Sequence, residues 1–280
     1  MTTAAELMSR ITAELSTGLA AAGRGRGRPT LVAVAHGSRD PAAARTVRAL
    51  LAAVRALRPG LRVRLGHVEL NEPLLRDTLE TLTGDAVLVP LLFGRGHHVT
   101  RDIPGAVRAA GERDGAARVA APLGPHPLLA AALAERLAQA GWRGGDGVVL
   151  AAAGSRAARS AADTAATAAL LADRLGVPVL PAYASAAAPT VAEAARALAA
   201  RGCRRIGVAC CFTAPGLFAH RTAADARALG LPVAAPLGPH PALARLVLHR
   251  YDGELAAFGT PTGTPARTVP DADLPLGLRR

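Results

Sequence analysis

Leu31-Val32-Ala33-Val34-Ala35-His36-Gly37-Ser38-Arg39 is a short apolar run that ends on a histidine. It returns 117 positions later as Val148-Val149-Leu150-Ala151-Ala152-Ala153-Gly154-Ser155-Arg156. The Gly-Ser-Arg is kept and the histidine has become alanine. Val119-Ala120-Ala121-Pro122-Leu123-Gly124-Pro125-His126-Pro127 likewise returns as Val233-Ala234-Ala235-Pro236-Leu237-Gly238-Pro239-His240-Pro241, 114 positions on. Between these anchors Glu69-Leu70-Asn71-Glu72-Pro73 aligns with Ser185-Ala186-Ala187-Ala188-Pro189. The stretch Phe93 to His98 aligns with Phe212 to Phe218 if one inserted residue is allowed. A period this long exceeds the roughly 20–50 residues of a solenoid repeat, so a whole small domain has been copied. One copy carries His36, Glu69 and His98; the other carries Ala153, Ser185 and Phe218 in their places.

Apolar strands alternate with alanine-rich helical stretches throughout. Strands are expected near 30–35, 61–68, 85–92 and 117–121, and again near 147–152, 177–182, 204–211 and 231–235. Helices are expected near 41–57, 72–82, 102–112 and 127–140, then near 157–175, 188–201, 218–228 and 241–257. Continuous Val/Leu/Ala strands covered by helices read as parallel sheets buried on both faces. Right-handed crossovers then make each half a doubly wound, flavodoxin-like α/β unit. The expected division is a flexible extension over 1–29, a first domain over 30–143, a degenerate second domain over 144–258 and a disordered tail over 259–280. Residues 1–22 read as a loose amphipathic helix, and Gly23 to Pro29 as a linker rich in glycine and arginine.

With 280 residues, half of them apolar, the chain can fill two ordinary cores. No apolar run approaches the ~18 residues of a membrane span. The N-terminus lacks the apolar core of a signal peptide, so a cytoplasmic protein without membrane partners is expected. The net charge is +12 and carried entirely by arginine, the composition of a GC-rich genome. Aromatics are scarce and the arginines scattered, so the stacking stripe of a nucleic-acid binder is missing and no nucleic-acid partner is expected. A small polycarboxylate would suit the arginine excess, because the guanidinium fork pairs bidentately with carboxylates. Cys203, Cys210 and Cys211 read as buried thiols. His126 and His240 occupy identical Gly-Pro-His-Pro turns in both halves and read as structural.

His36, Glu69 and His98 follow the first, second and third strands, which puts all three on the carboxyl edge of a parallel sheet. Open α/β sheets bind ligands on that edge. If strand one lies between strands two and three, His36 sits in the middle, and two imidazoles with a carboxylate make a mixed N/O site for a divalent first-row metal.

At these residues the chain resembles the sirohydrochlorin chelatases, the class II family that inserts a divalent metal into a tetrapyrrole. The family's strand ending in His-Gly-Ser-Arg is matched by His36 to Arg39, and its Glu-Leu-x-x-Pro by Glu69 to Pro73. Its Pro-x-x-x-x-x-Gly-x-His-x-x-x-Asp-Ile-Pro is matched by Pro90, Gly96, His98, Asp102, Ile103 and Pro104. The resemblance covers roughly 30–258 and is to the long, two-unit form. It implies His36 and His98 as catalytic groups and metal ligands, with Glu69 as the third ligand. It implies a carboxylate-rich macrocycle, sirohydrochlorin, held by Ser38, Arg39, Arg95, Gly96, Arg101 and Arg156, with Arg221 as a further candidate. The metal is a substrate, Fe²⁺ or Co²⁺ with Ni²⁺ as an alternative, and no organic cofactor is implied. The product serves siroheme or cobalamin synthesis. The reading set against it is a non-catalytic carrier of the tetrapyrrole or metal. The oligomeric state is left open.

Overall fold

A computed structural model describes residues 28–111, 115–255 and 258, so the expectations for residues 1–22 and for the tail fall outside the described residues. The first sheet is parallel, in the order β2-β1-β3-β4, with β1 at Thr30–Ala35, β2 at Val63–His67, β3 at Ala86–Pro90 and β4 at Ala117–Val119. The second is β6-β5-β7, with β5 at Gly147–Ala152, β6 at Val179–Tyr183 and β7 at Ile206–Cys210. β1 is central, as expected, and its six residues are all buried, because helices cover both faces of the sheet.

The helices are α1 (Pro41–Leu57), α2 (Leu75–Glu80), α3 (Ile103–Ala109), α4 (Pro127–Gln139), α5 (Ala158–Leu175), α6 (Val191–Ala200), α7 (Leu217–Ala228) and α8 (Pro241–Leu255). The helix expected over 102–112 begins earlier, since a π-helical turn over His98–Asp102 leads straight into α3. The strand expected at 231–235 is reduced to a single bridge between Val208 and Val233. Leu231 gives its N–H to Ala226, closing α7, and Pro232 has none to give, so the ladder cannot extend.

α2 and α3 cover one face of the first sheet, and α6 covers the corresponding face of the second. Between the sheets lies one continuous apolar core that draws on both halves. There the two terminal helices change places. α8, from the second half, packs on α1 and β3 of the first; α4, from the first half, packs on α5 and β7 of the second. The exchange is near-symmetric. Arg136 on α4 donates to the Leu237 carbonyl at 2.6 Å, and Arg250 on α8 donates to the Leu123 carbonyl at 3.4 Å and to that of Pro125 at 3.2 Å. Leu243, Leu246, Val247 and Tyr251 on α8 are fully buried, and the Tyr251 hydroxyl donates to the Pro29 carbonyl at 2.6 Å. Arg58 pairs with Asp252 across the same seam. The sequence units 30–143 and 144–258 therefore interlock through their last helices.

Candidate functional site

The backbone after β1 and β2 builds the first part of the site. Val68 donates to the Ala35 carbonyl and Glu69 to that of His36, so the chain past β2 keeps running beside the residue that ends β1. Gly37 crosses this strand end at φ +105°, and a Cβ there would lie 1.8 Å from the Glu69 carbonyl oxygen. The same crossing recurs at Gly154, φ +90°, 1.9 Å from the Ser185 oxygen. The repeated glycine is thus explained by the crossing, in a half that has kept the turn and lost the histidine.

His36 Nε2 lies 3.3 Å from Glu69 Oε1, and its Nδ1 is 3.1 Å from the Gly37 carbonyl. The His36 and His98 rings meet edge to face, centroids 4.6 Å apart at 86°. Of the three residues expected here, His36 thus meets both Glu69 and His98. His98 stands on the π-helical turn, where Asp102, four residues on, takes its Nδ1 at 2.6 Å. A carboxylate only accepts, so Nδ1 carries a proton, and in the neutral ring Nε2 then holds the lone pair. His97, 68 % exposed, reaches the other oxygen of Asp102 at 3.4 Å. Among the described residues no three His, Cys, Asp or Glu side chains are grouped so that they could hold a metal ion. The donors are gathered pairwise, His36 with Glu69 and His98 with Asp102.

Two contributors were missed in the sequence. Asp102 was read only as part of a motif, and Asn71 was not singled out; its Oδ1 accepts the Ser38 backbone N–H at 2.7 Å and fixes the turn after His36. Both are absent from the copy, where Ala187 and Thr222 stand. Thr222 is fully buried and its hydroxyl has no hydrogen-bond partner. The loss of a carboxylate together with a histidine four positions before it was the available signal.

The alignment around His98 needs correction. Leu123 donates to the Leu92 carbonyl as Leu237 does to that of Phe212, so Leu92, not Phe93, matches Phe212. His98 then falls on Phe218 with no inserted residue.

The carboxyl edges of the two sheets face each other. A Cβ on Gly216 would come within 3.0 Å of the Ser38 hydroxyl, and one on Gly96 within 3.5 Å of that of Ser155. This near-symmetric packing alters several expected substrate contacts. The Ser38 hydroxyl accepts the Asp40 N–H within its own turn, and Gly96 lies against Ser155 of the second half. The Arg95 guanidinium is taken by buried Asp163, with contacts down to 2.6 Å, and Arg221 donates to the Ala184 carbonyl. Arg39, Arg101 and Arg156 are exposed beside the site, and no hydrogen bond or ion pair with a described residue holds them.

The remaining polar groups are structural. His126 and His240 accept the Leu128 and Ala242 backbone N–H groups through Nδ1, capping α4 and α8. Burial pushes both imidazoles, and that of His67 against the Pro73 carbonyl, below the usual histidine range. Burial raises the Cys210 thiol to about 12 and pushes Cys211 up as well, so both stay protonated.

The model of one protein family, CbiX, matches the chain twice, over residues 30–140 and 147–254. No curated relative matches it. Among solved structures, SirB from Bacillus subtilis with Fe³⁺ is similar with TM-score 0.69 and 21 % identity, over 82 % of this chain and 96 % of that one. The sirohydrochlorin chelatase SirB from Bacillus subtilis subspecies spizizenii in complex with cobalt gives 0.69 and 21 %, over 83 % and 97 %. CbiX, the terminal enzyme for biosynthesis of siroheme in denitrifying bacteria, gives 0.60 and 24 %, over 80 % and 98 %. These likenesses establish a shared fold of two tandem α/β units.

Proposed function

Because the chain belongs to the CbiX family, we propose that it inserts a divalent metal ion, Fe²⁺ or Co²⁺, into sirohydrochlorin. One observation carries the reading: His36 Nε2 and Glu69 Oε1 face each other at 3.3 Å beside the His98 ring. With its proton on Nδ1 toward the Gly37 carbonyl, His36 directs a lone pair at a carboxylate oxygen. A proton or a metal cation can stand between the two at that separation, and imidazole with carboxylate suits iron, cobalt and nickel alike.

Insertion exchanges the two N–H protons of the macrocycle for the incoming M²⁺. His36, Glu69 and His98 would hold the ion loosely, with open positions for the ring nitrogens. As the ion leaves for the ring, the freed imidazoles can accept the protons on the lone pairs that it vacates. Asp102 keeps His98 in the tautomer that ligates. Arg39, Arg101 and Arg156 would pair with the substrate's carboxylates. In this reading residues 30–143 form the inserting unit and 144–258 a partner that lines the cleft without ligating.

Anaerobic incubation with sirohydrochlorin and each of Fe²⁺, Co²⁺ and Ni²⁺, followed by absorption, tests the reading. Catalysed, multiple-turnover conversion with iron or cobalt is expected. Conversion no faster than without protein would overturn it, and one turnover per chain would make the protein a carrier.

A further inference from the structure

Asp163 belongs to the half that lacks counterparts of His36 and His98, yet its carboxylate is spent on the loop that leads to His98. Its side chain, on α5, is only 3 % exposed. Oδ2 accepts the Arg95 backbone N–H at 2.8 Å. The two oxygens take the Arg95 guanidinium through Nε at 3.0 and 3.2 Å and through a terminal nitrogen at 2.6 Å. Arg95 is three residues before His98, so main chain and side chain are gripped together just ahead of the π-helical turn. Gly94 and Gly96, without side chains, let this loop lie against Ser160 and Ser155 of the same second half.

The pseudo-symmetry shows that this contact is not inherited packing. The equivalent of Asp163 in the first half is Thr46, and the equivalent of Arg95 in the second is Pro215, which has neither charge nor N–H. A second tie shares the asymmetry. His220 Nε2 lies 2.8 Å from Asp40 Oδ2, on the loop that follows His36, while the mirror pair would be Thr100 and Ala157. Both ties run from the half without reactive groups to the two loops that bear them. The first is buried and multidentate, so it outweighs the second, which is mostly exposed.

We propose that the second half acts as a clamp on the inserting site, with Asp163 as the principal positioning residue for the His98 loop and His220 as a lesser one for the His36 loop. The proposal rests on the insertion reading above for its effect on rate, and on geometry alone for its effect on the loop.

The test uses the full chain with Asp163→Ala, Asp163→Asn and His220→Gln. It measures kcat and KM for sirohydrochlorin with Co²⁺, together with amide hydrogen exchange. Asp163→Ala is expected to lower kcat about 10- to 100-fold, the scale of a reacting group misplaced by about 1 Å, with KM changed less than about threefold. Exchange should rise in residues 93–98 while the rest of the second half stays protected. Asp163→Asn should recover to within about fivefold of wild type, because its carbonyl still accepts the Arg95 N–H. His220→Gln, which keeps a donor toward Asp40, should cost about threefold or less.

Wild-type kcat in Asp163→Ala, or a loss confined to KM, would overturn the proposal. If Asp163→Ala loses protection throughout its half, Asp163→Asn decides: damage equal to that of alanine overturns the clamp. Should the wild type insert no metal, the insertion reading fails, and exchange at 93–98 still decides whether Asp163 holds the loop.

Discussion

His36 Nε2 and Glu69 Oε1 face each other across 3.3 Å, with the His98 ring beside them and Asp102 on its Nδ1. Replacing His36 or His98 with alanine should abolish most insertion while moving stability by no more than about 0.5 kcal/mol, because neither side chain packs in the core. Activity and thermal melts of the two variants check this. His97→Ala should be much milder, since His97 meets the site only through the far oxygen of Asp102. Asp102→Ala should lower Co²⁺ affinity about 10- to 100-fold, read by titrating the visible absorption of bound cobalt, as expected when an orienting carboxylate behind a metal-binding histidine is lost. His36, Glu69 and His98 were legible in the sequence because each follows a strand and each is missing from the copy. Asp102 was not, because its distance from His98 becomes a contact only if the helical turn starts at His98. Asn71 was hidden for a similar reason, as its partner is a backbone N–H 33 positions away.

Strands and most helices could be read from apolar runs and alanine-rich stretches, since their lengths and burial follow local pattern. The lost strand at 231–235 turned on a helix cap that consumes the Leu231 N–H. The exchange of α4 and α8 leaves no local trace, because an amphipathic helix reads the same whichever sheet it covers. Both exchanged helices begin on a histidine cap, and this gives a pH dependence. His126 and His240 have folded-state pKa values pushed below the ordinary ~6.5 by burial, so the unfolded chain binds protons more readily there. Their stabilisation is present above about pH 6.5 and is lost as pH falls below it. The melting temperature should drop between pH 7.5 and pH 5, and His126→Asn with His240→Asn, caps that do not titrate, should flatten the drop. The exchange also forecasts the behaviour of residues 1–145 made alone. Without α8, the apolar faces of α1 and β3 lie open and α4 has no seat. This fragment should not form a stable monomer, and size-exclusion chromatography with circular dichroism should find it self-associated or unfolded.

At the scale of the molecule, the carboxyl edges of the two sheets face each other, and exposed arginines of both halves stand beside them. Arg156 comes from the half without ligands, so its truncation should separate substrate from metal. Arg156→Ala is expected to weaken sirohydrochlorin binding ten- to a hundredfold, the worth of a charge-assisted contact of about 1.5–3 kcal/mol, and to leave Co²⁺ affinity unchanged. Titrations with each ligand alone check both halves of that statement. The seating of α8 has a further consequence, in the order of synthesis. The helix that closes the first core is the last described one to leave the ribosome, and its ties to Arg58 and Pro29 span 194 and 222 positions. Contacts this distant form late, because the intervening chain must first be brought together. The half that bears the reactive groups thus stays open to proteases until α8 has emerged. Ribosome-bound chains halted before Pro241 should be cut within residues 30–143, and chains extended far enough for α8 to emerge should resist.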